Sequence, residues 1–150
     1  TEPTSTVFSL GTAINDANTY VAYCWAPLVG YSSFGSYTGN GSADGPFVYT
    51  GFRPKFVLIK GSSFGSNWNM YDASRDLYNI TDKTLRANSS NAEIDSIGAG
   101  GYALILDFLS NGIKFRGLGA SSNASGGTYI YMAFAENPFV TSKGLACTAR

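Results

Sequence analysis

Short runs of β-branched and aromatic residues, each bounded by turn-forming residues, constrain the fold of this 150-residue chain more than any other feature. Such runs are typical of β-strands, and the Gly, Asn and Pro clusters between them are typical of tight turns. Many short strands joined by glycine-rich turns predict an all-β fold, an antiparallel β-sandwich with long Gly/Ser/Asn-rich loops. The predicted strands are residues 19–25, 47–50, 55–60, 68–72, 102–109, 112–116 and 128–135.

Local turn signals refine this prediction at two places. Asn111-Gly112 lies between two apolar runs, which is typical of a two-residue hairpin with a type I′ turn. That turn needs positive φ at both central residues, a conformation that Asn and Gly tolerate best. Residues 72–84 alone show weak helical periodicity, so we expect at most a turn or two of helix there.

One pattern near the start of the chain recurs near its end. TYV at 19–21 is followed by WA at 25–26, and TYI at 128–130 is followed at the same spacing by FA at 134–135. Two similar core strands can arise by chance, but the matched spacing favours the ends of two repeat units.

The repeat predicts three parts of the chain. Residues 30–140 form the β-sandwich module. Residues 1–29 are an N-terminal segment whose strand comes from a preceding unit or replaces that unit's strand in this one. Residues 141–150 are a C-terminal tail.

Composition excludes several kinds of chemistry. The chain has no His, and its 10 Lys+Arg balance 10 Asp+Glu to a formal net charge of zero. A Ser-His-Asp or Cys-His mechanism has no base here, and a neutral chain is a poor partner for nucleic acid. No stretch provides the ~20 apolar residues of a membrane span. We expect no cofactor, no metal, no nucleic-acid partner and no membrane insertion.

The chain has two cysteines, Cys24 and Cys147. Their spacing alone leaves open whether they are free thiols.

The densest charge cluster is Asp72 and Asp76 around Arg75. A glycosidase needs two carboxylates about 5–10 Å apart, so a polysaccharide depolymerase using Asp72 with Asp76 or Asp107 is one interpretation. A turn with an Asp cap and a local ion pair gives the same pattern. We favour this structural interpretation and expect no catalytic residues.

Aromatic residues in polar loops suggest a glycan-binding surface, because aromatic planes stack on sugar rings while amides bond hydroxyls. The loop at 62–70 has this composition and predicts a site formed by Phe64, Trp68, Tyr71 and Asn67. Phe64 is expected at an exposed tip, since Gly and Ser surround it. Alternatively, Trp68 and Tyr71 begin a strand and face the core.

Five blocks follow one another along the chain: YTGNG at 37–41, GFRPKFVLIK at 51–60, YDASRD at 71–76, FLSNGIK at 108–114 and GTYIYMAFA at 127–135. In this order they resemble a module of tailed-bacteriophage tail and fibre proteins.

The resemblance implies a virion structural or host-contacting domain, located outside the cell on a tail fibre or adhesin. Its partners would be other tail proteins and a bacterial surface polysaccharide. The resemblance supplies no catalytic residues. A purely structural capsid-decorating or filament subunit is an alternative.

Low charge and surplus loop aromatics favour self-association. We therefore expect a homo-oligomer, and the fibre resemblance points to a trimer. Tyr31, Phe34 and Tyr37, which lie in one glycine- and serine-rich segment, are the predicted subunit contact.

Overall fold

In a computed structural model of the chain, which describes residues 4, 6–12, 16–98, 101 and 103–137, nearly all regular structure is β. Within these residues there is one short helix, α1, between the last two strands. The strands are β1 Ser32–Thr38, β2 Phe47–Tyr49, β3 Pro54–Gly61, β4 Asn69–Asp72, β5 Lys83–Arg86, β6 Ile94–Asp95, β7 Leu106–Leu109, β8 Gly112–Phe115 and β9 Thr128–Ala135, and α1 is Ala120–Asn123.

The strands form two antiparallel sheets, which confirms the predicted all-β sandwich. One sheet has six strands in the order β1-β9-β3-β4-β5-β6, and the other has three in the order β2-β8-β7. The last described strand, β9, lies between β1 and β3 and pairs with both. It therefore holds β1, the first described strand, in the sheet.

The two sheets share one hydrophobic core. Burying each large side chain there contributes about 1.5–3 kcal/mol relative to leaving it exposed. In β3 the burial alternates, so that Val57 and Ile59 face the core while Leu58 faces away. The six-stranded sheet supplies Val57, Ile59, Tyr71, Tyr129 and Ala133, and the three-stranded sheet supplies Val48, Leu106, Phe108, Ile113 and Phe115.

Helix α1 is fixed to the sandwich by Tyr129 of β9. The Tyr129 hydroxyl donates a hydrogen bond to the carbonyl of Ala120 at 2.5 Å and accepts one from the N–H of Ala124 at 2.7 Å. The helix was not predicted, and its sequence, Ala-Ser-Ser-Asn, shows why. A single turn has no periodicity to detect, and it depends here on a tertiary contact.

The structure confirms most of the predicted strands. Those at 47–50, 55–60, 68–72, 112–116 and 128–135 correspond to β2, β3, β4, β8 and β9. Strand β7 covers the second half of the predicted 102–109 strand, whose first residue lies outside the described residues. The sequence patterns missed β1 and β5, which contain Ser, Gly, Lys and Arg and rely on their neighbours for backbone pairing. They also missed β6, because a strand of two residues is too short to show a pattern.

The predicted strand at 19–25 is wrong. These residues form no strand in the structure, and Val21 and Tyr23 are 77% and 76% exposed. Residues 72–84, where at most a turn or two of helix is expected, contain the end of β4, turns and the start of β5, and no helix. The division of the chain into three parts stays a prediction, and its tail at 141–150 lies outside the described residues.

The β7–β8 hairpin exists, but its turn differs from the predicted one. Leu109 pairs with Gly112, so Ser110 and Asn111 are the two loop residues and Gly112 begins β8. No described non-glycine residue has positive φ, and Gly112 is not among the described glycines that do. The turn is therefore not type I′. Gly112 is needed for close approach instead, because a Cβ there would lie 2.2 Å from the carbonyl oxygen of Val48 on β2.

This contact predicts the effect of Gly112→Val. The new side chain would force β2 away from β8, at a cost of about 1–3 kcal/mol for an overpacked interior, and the melting temperature should fall accordingly. Asn111→Ala is the matched control. Asn111 does not have a positive φ, so Ala can adopt the same backbone conformation without strain. Thermal unfolding followed by circular dichroism measures both variants. A larger loss for Asn111→Ala than for Gly112→Val would contradict this account of the hairpin.

Candidate functional site

The side of the six-stranded sheet that faces away from the core is apolar, and we call it the outer face. Residues paired across antiparallel strands project from the same side of a sheet. Phe34 pairs with Met132, Met132 with Leu58, Leu58 with Met70, and Met70 with Leu85. A continuous apolar row therefore crosses β1, β9, β3, β4 and β5. Each member of the row is only partly buried.

Aromatic rings cover the adjacent part of the outer face around Phe134 of β9. Phe34 and Tyr31 both meet Phe134 edge to face, with ring centroids 6.0 and 5.9 Å away. Phe56 of β3 lies directly opposite Phe134, with its ring centroid at 6.3 Å. Edge-to-face pairs of this kind contribute about 0.5–1.5 kcal/mol beyond simple burial.

A groove with a volume of about 440 Å³ lies on the outer face. Two tryptophans contribute to it, Trp25 from the segment before β1 and Trp68 immediately before β4, and they are 55% and 38% exposed. Large exposed apolar patches on a folded chain mark interaction surfaces, so this groove is the candidate functional site. Its lining is Trp25, Phe34, Gly35, Leu58, Trp68, Ile130, Tyr131 and Met132.

The structure brings together two of the four predicted glycan-binding residues. Trp68 lines the groove, and Asn67 precedes it in the chain. Asn88 links them, because its side-chain oxygen accepts the Trp68 backbone N–H at 2.9 Å and its amide donates to the Asn67 side-chain oxygen at 3.1 Å. Two linked side-chain amides are thus attached to the backbone that carries the exposed Trp68.

The other two predicted residues lie elsewhere. Tyr71 is fully buried in the core, as the alternative interpretation expected, and burial raises its pKa to about 12. Phe64 is not an exposed tip, because its ring packs edge to face on Tyr129 with centroids 5.4 Å apart. Gly61 and Gly127 leave room for that ring, and a Cβ at either would lie within 3 Å of it.

The three predicted subunit-contact residues lie on two sides of the sheet. Tyr31 and Phe34 are on the outer face beside Phe134. Tyr37 packs on the core, with its ring stacked on those of Phe115 and Tyr129 at 4.6 and 5.0 Å. The cause is the two-residue period of a strand, since positions 34 and 37 must point to opposite faces. Tyr37 therefore does not belong to a surface formed with Phe34.

A depolymerase would use Asp72 with Asp76 or Asp107. In the structure these carboxylates are held by backbone hydrogen bonds and ion pairs with other residues. Asp72 accepts the backbone N–H groups of Ser74 and Arg75 at 2.9 and 2.8 Å and also pairs with the Arg75 guanidinium. Burial raises the pKa of Asp72, but these hydrogen bonds outweigh burial and hold its pKa below the usual range. Asp76 accepts the backbone N–H of Asp82 at 2.6 Å. Asp107 pairs with Arg116 at 2.7 Å.

Asp82 is a buried carboxyl group that the sequence patterns did not single out. Its exposed fraction is 9%, and it accepts the backbone N–H of Ile97 at 3.1 Å. Burial raises its pKa, and the neighbouring carboxyl groups of Asp76 and Asp95 add to the rise. Like charges that share a site make ionisation of one of them unfavourable.

The described residues contain one exposed free thiol but no metal-binding cluster and no membrane-spanning helix. No three His, Cys, Asp or Glu side chains there are grouped so as to hold a metal ion. Cys24 is an exposed free thiol, and Cys147 lies outside the described residues. No described helix has the length and apolar composition to span a bilayer.

Sequence reasoning singled out Tyr31, Phe34 and Trp68 but missed the rest of the outer face, which is formed by Leu58, Met70, Leu85 and Met132. A signal for it existed in β9, whose sequence TYIYMAFA is apolar at successive positions without alternation. A strand of this kind has two apolar faces, and only one can point into a two-layer core.

Comparisons with known proteins give one match. A family model described as a domain of unknown function (DUF7483) matches residues 1–138, most of the chain. No curated protein and no solved structure matches.

The raised pKa of Asp82 predicts how the stability of the folded chain changes with pH. Its folded-state pKa lies above the ordinary 3.8, so the folded state binds more protons than the unfolded state, and stability falls as pH rises above that value. Asp82→Asn keeps an oxygen for the Ile97 N–H and removes the charge. We expect the variant to melt higher than the wild type at pH 7, and the difference to vanish near about pH 3, where the carboxyl is protonated in both states. An equal or lower melting temperature for the variant at pH 7 would contradict the assignment.

Proposed function

We propose that this chain, which belongs to the DUF7483 family, is a non-catalytic module of a bacteriophage virion appendage, a tail fibre or adhesin. In this role it assembles with copies of itself and with other tail proteins, and it contacts a glycan on the bacterial surface. The observation that carries the proposal is the apolar outer face with its groove. The five sequence blocks that resemble phage tail and fibre modules supply the virion context.

The outer face supports an assembly role. The described residues form a sandwich whose core is already complete between its two sheets, so the outer face adds nothing to that core. Leaving such a surface in water loses the ~25 cal/mol per Å² that burial would provide. A second protein surface is the usual partner for a patch of this kind. The row from Phe34 to Leu85 contains no charged residue that would oppose such contact.

The end of the groove at Trp68 supports the host-contact role. A sugar ring needs an exposed aromatic plane and a few side chains that bond hydroxyls. Trp68 provides the plane, and the linked side-chain amides of Asn67 and Asn88 are held at its backbone. Trp25 contributes a second indole to the same groove. A neutral or weakly charged surface polysaccharide is the class of ligand that fits this composition.

The depolymerase interpretation gains no support from the geometry. Its carboxylates lie in a turn, on backbone N–H groups or in an ion pair, and none of them lines the groove. Retaining and inverting glycosidases both need two carboxylates that face each other across the sugar. We therefore retain the binding role as the proposal.

The proposal predicts that the labelled protein binds bacterial cells or a purified envelope polysaccharide, and that Trp68→Ala weakens this binding about tenfold, as expected for loss of a central aromatic contact. Tyr49→Ala is the matched control, because Tyr49 is 66% exposed on β2 of the other sheet. Fluorescence titration across a panel of envelope polysaccharides measures both variants.

A reducing-sugar assay on the same polysaccharides completes the test. No release of reducing ends is expected. Steady release that Asp72→Asn abolishes would replace the proposal with the depolymerase. Self-association without binding to any cell or polysaccharide would replace it with a purely structural subunit.

A further inference from the structure

We propose that residues 19–24 of one copy of this chain bind the outer edge of β1 in a second copy, as an additional antiparallel strand. The inference rests on the proposed function, because it specifies how copies of the module join. The acceptor is a strand edge, and the donor is a described segment that the structure leaves outside both sheets.

The acceptor edge is open along most of its length. Strand β1 is the terminal strand of the six-stranded sheet and pairs with β9 on one side. On the other side Ser32 exchanges two backbone hydrogen bonds with Leu28, at 2.9 and 3.2 Å. The backbone groups of an edge strand alternate in direction, so those of Phe34 and Ser36 point to the same side as those of Ser32. Among the described residues, no backbone group pairs with Phe34 or Ser36 on that side.

The edge also lacks the usual protection against pairing. Natural edge strands are blocked by Lys, Pro, bulges or inward-pointing charges. The sequence of β1, SSFGSYT, contains neither charge nor proline, and its register with β9 is continuous over seven pairs. It is therefore a regular, uncharged template for another strand.

The donor segment has the sequence pattern of β9, the strand that already pairs with β1. Aligned on the repeat, Ala22, Cys24 and Ala26 take the places of core-facing residues of β9. Large apolar residues take the places of residues on the outer face. These are Val21, Tyr23 and Trp25, which the structure leaves 77%, 76% and 55% exposed.

The turn before β1 prevents the segment from satisfying this pattern within its own chain. The Leu28–Ser32 bridge fixes the register of any hairpin with β1, and continuing it places Cys24 opposite Ser36 and Tyr23 opposite Tyr37. Tyr37 faces the core, so Tyr23 would project from the wrong side of the sheet. A change of register by one residue moves every side chain to the other face, and within the same chain that change would require the Leu28–Ser32 bridge to break.

A second copy is free of this restriction. Its segment can take the register that β9 has with β1, which places Tyr23 opposite Phe34 and Cys24 opposite Ser33. Pairing ends there, because the edge-side backbone groups of Ser32 are already bonded to Leu28 of the same chain. Tyr23 then extends the apolar row of Phe34 and Met132 on the outer face. The small residues Ala22 and Cys24 meet Gly35 and Ser33, where β1 is also small.

Disulfide trapping distinguishes the two registers. Ser33→Cys places a thiol opposite Cys24 of a second copy, and Ser36→Cys places one opposite Cys24 of the same chain. Residues paired across antiparallel strands have Cα atoms about 4.5–5.5 Å apart, within the range for a disulfide. Both variants are made in the full chain with Cys147→Ser, so that only Cys24 and the new thiol can react. Mild oxidation is followed by non-reducing electrophoresis, and light scattering gives the mass of the reduced proteins.

We expect Ser33→Cys to convert most of the protein into a reducible covalent dimer or longer ladder, and Ser36→Cys to give little cross-linking. An intramolecular disulfide in Ser36→Cys, with a monomeric band, would overturn the inference. An oligomer in light scattering without cross-linking of Ser33→Cys would also overturn it, while leaving the proposed assembly role intact. A monomer in light scattering without either cross-link would overturn both. Melting of the reduced variants, expected within a few degrees of the parent, shows that both are folded.

Discussion

The pairing of β9 with a strand on each side is the constraint on which the rest of the structure depends. This one strand joins β1, from the start of the described sandwich, to β3 and through it to the remaining strands of the six-stranded sheet. Its alternate residues serve two purposes. Tyr129 and Ala133 fill the core, and Ile130, Met132 and Phe134 lie on the outer face. Because both sets of residues are apolar, stability of the sandwich and exposure of an apolar surface come from the same eight residues.

The outer face therefore lies on the same strands as the core, although its side chains are separate from those that fill the core. A polar residue at Met132 or Leu58 would not disturb the core directly, since these side chains point away from it. The sequence nevertheless keeps a row of apolar residues across five strands. In a monomer that row loses the hydrophobic free energy of burial, whereas in an assembly the same row is covered. This balance supports an assembly role, and the uncharged edge of β1 beside the row supports contact between copies at that edge.

The N-terminal segment shows how one sequence pattern can have two structural outcomes. Residues 19–26 and β9 share their spacing of aromatic and small residues, yet β9 lies at the centre of a sheet and residues 19–26 lie outside both sheets. The difference is position in the chain. Strand β9 lies between two strands and pairs with both, whereas residues 19–26 precede β1 by a tight turn, and continuing its Leu28–Ser32 bridge would put Tyr23 on the core side of the sheet. Strand propensity alone does not decide pairing, because the partner and the register are set elsewhere in the chain.

The sequence by itself determined the fold class and most of the strands. Alternating or continuous apolar runs located β2, β3, β4, β8 and β9, since a two-residue period and turn residues are local properties. It also identified the ion pair of Asp72 with Arg75 as part of a turn.

Only the tertiary structure decided the rest of the fold and of the candidate site. It placed Phe64 and Tyr37 on the core, formed β1 and β5 from polar sequences, and gave Gly112 its role through contact with Val48. It also gathered Trp25, Phe34, Trp68 and Met132 into one groove. Each of these outcomes depends on strand register between residues far apart in the chain, and register is set by how two faces pack together, which no local pattern contains.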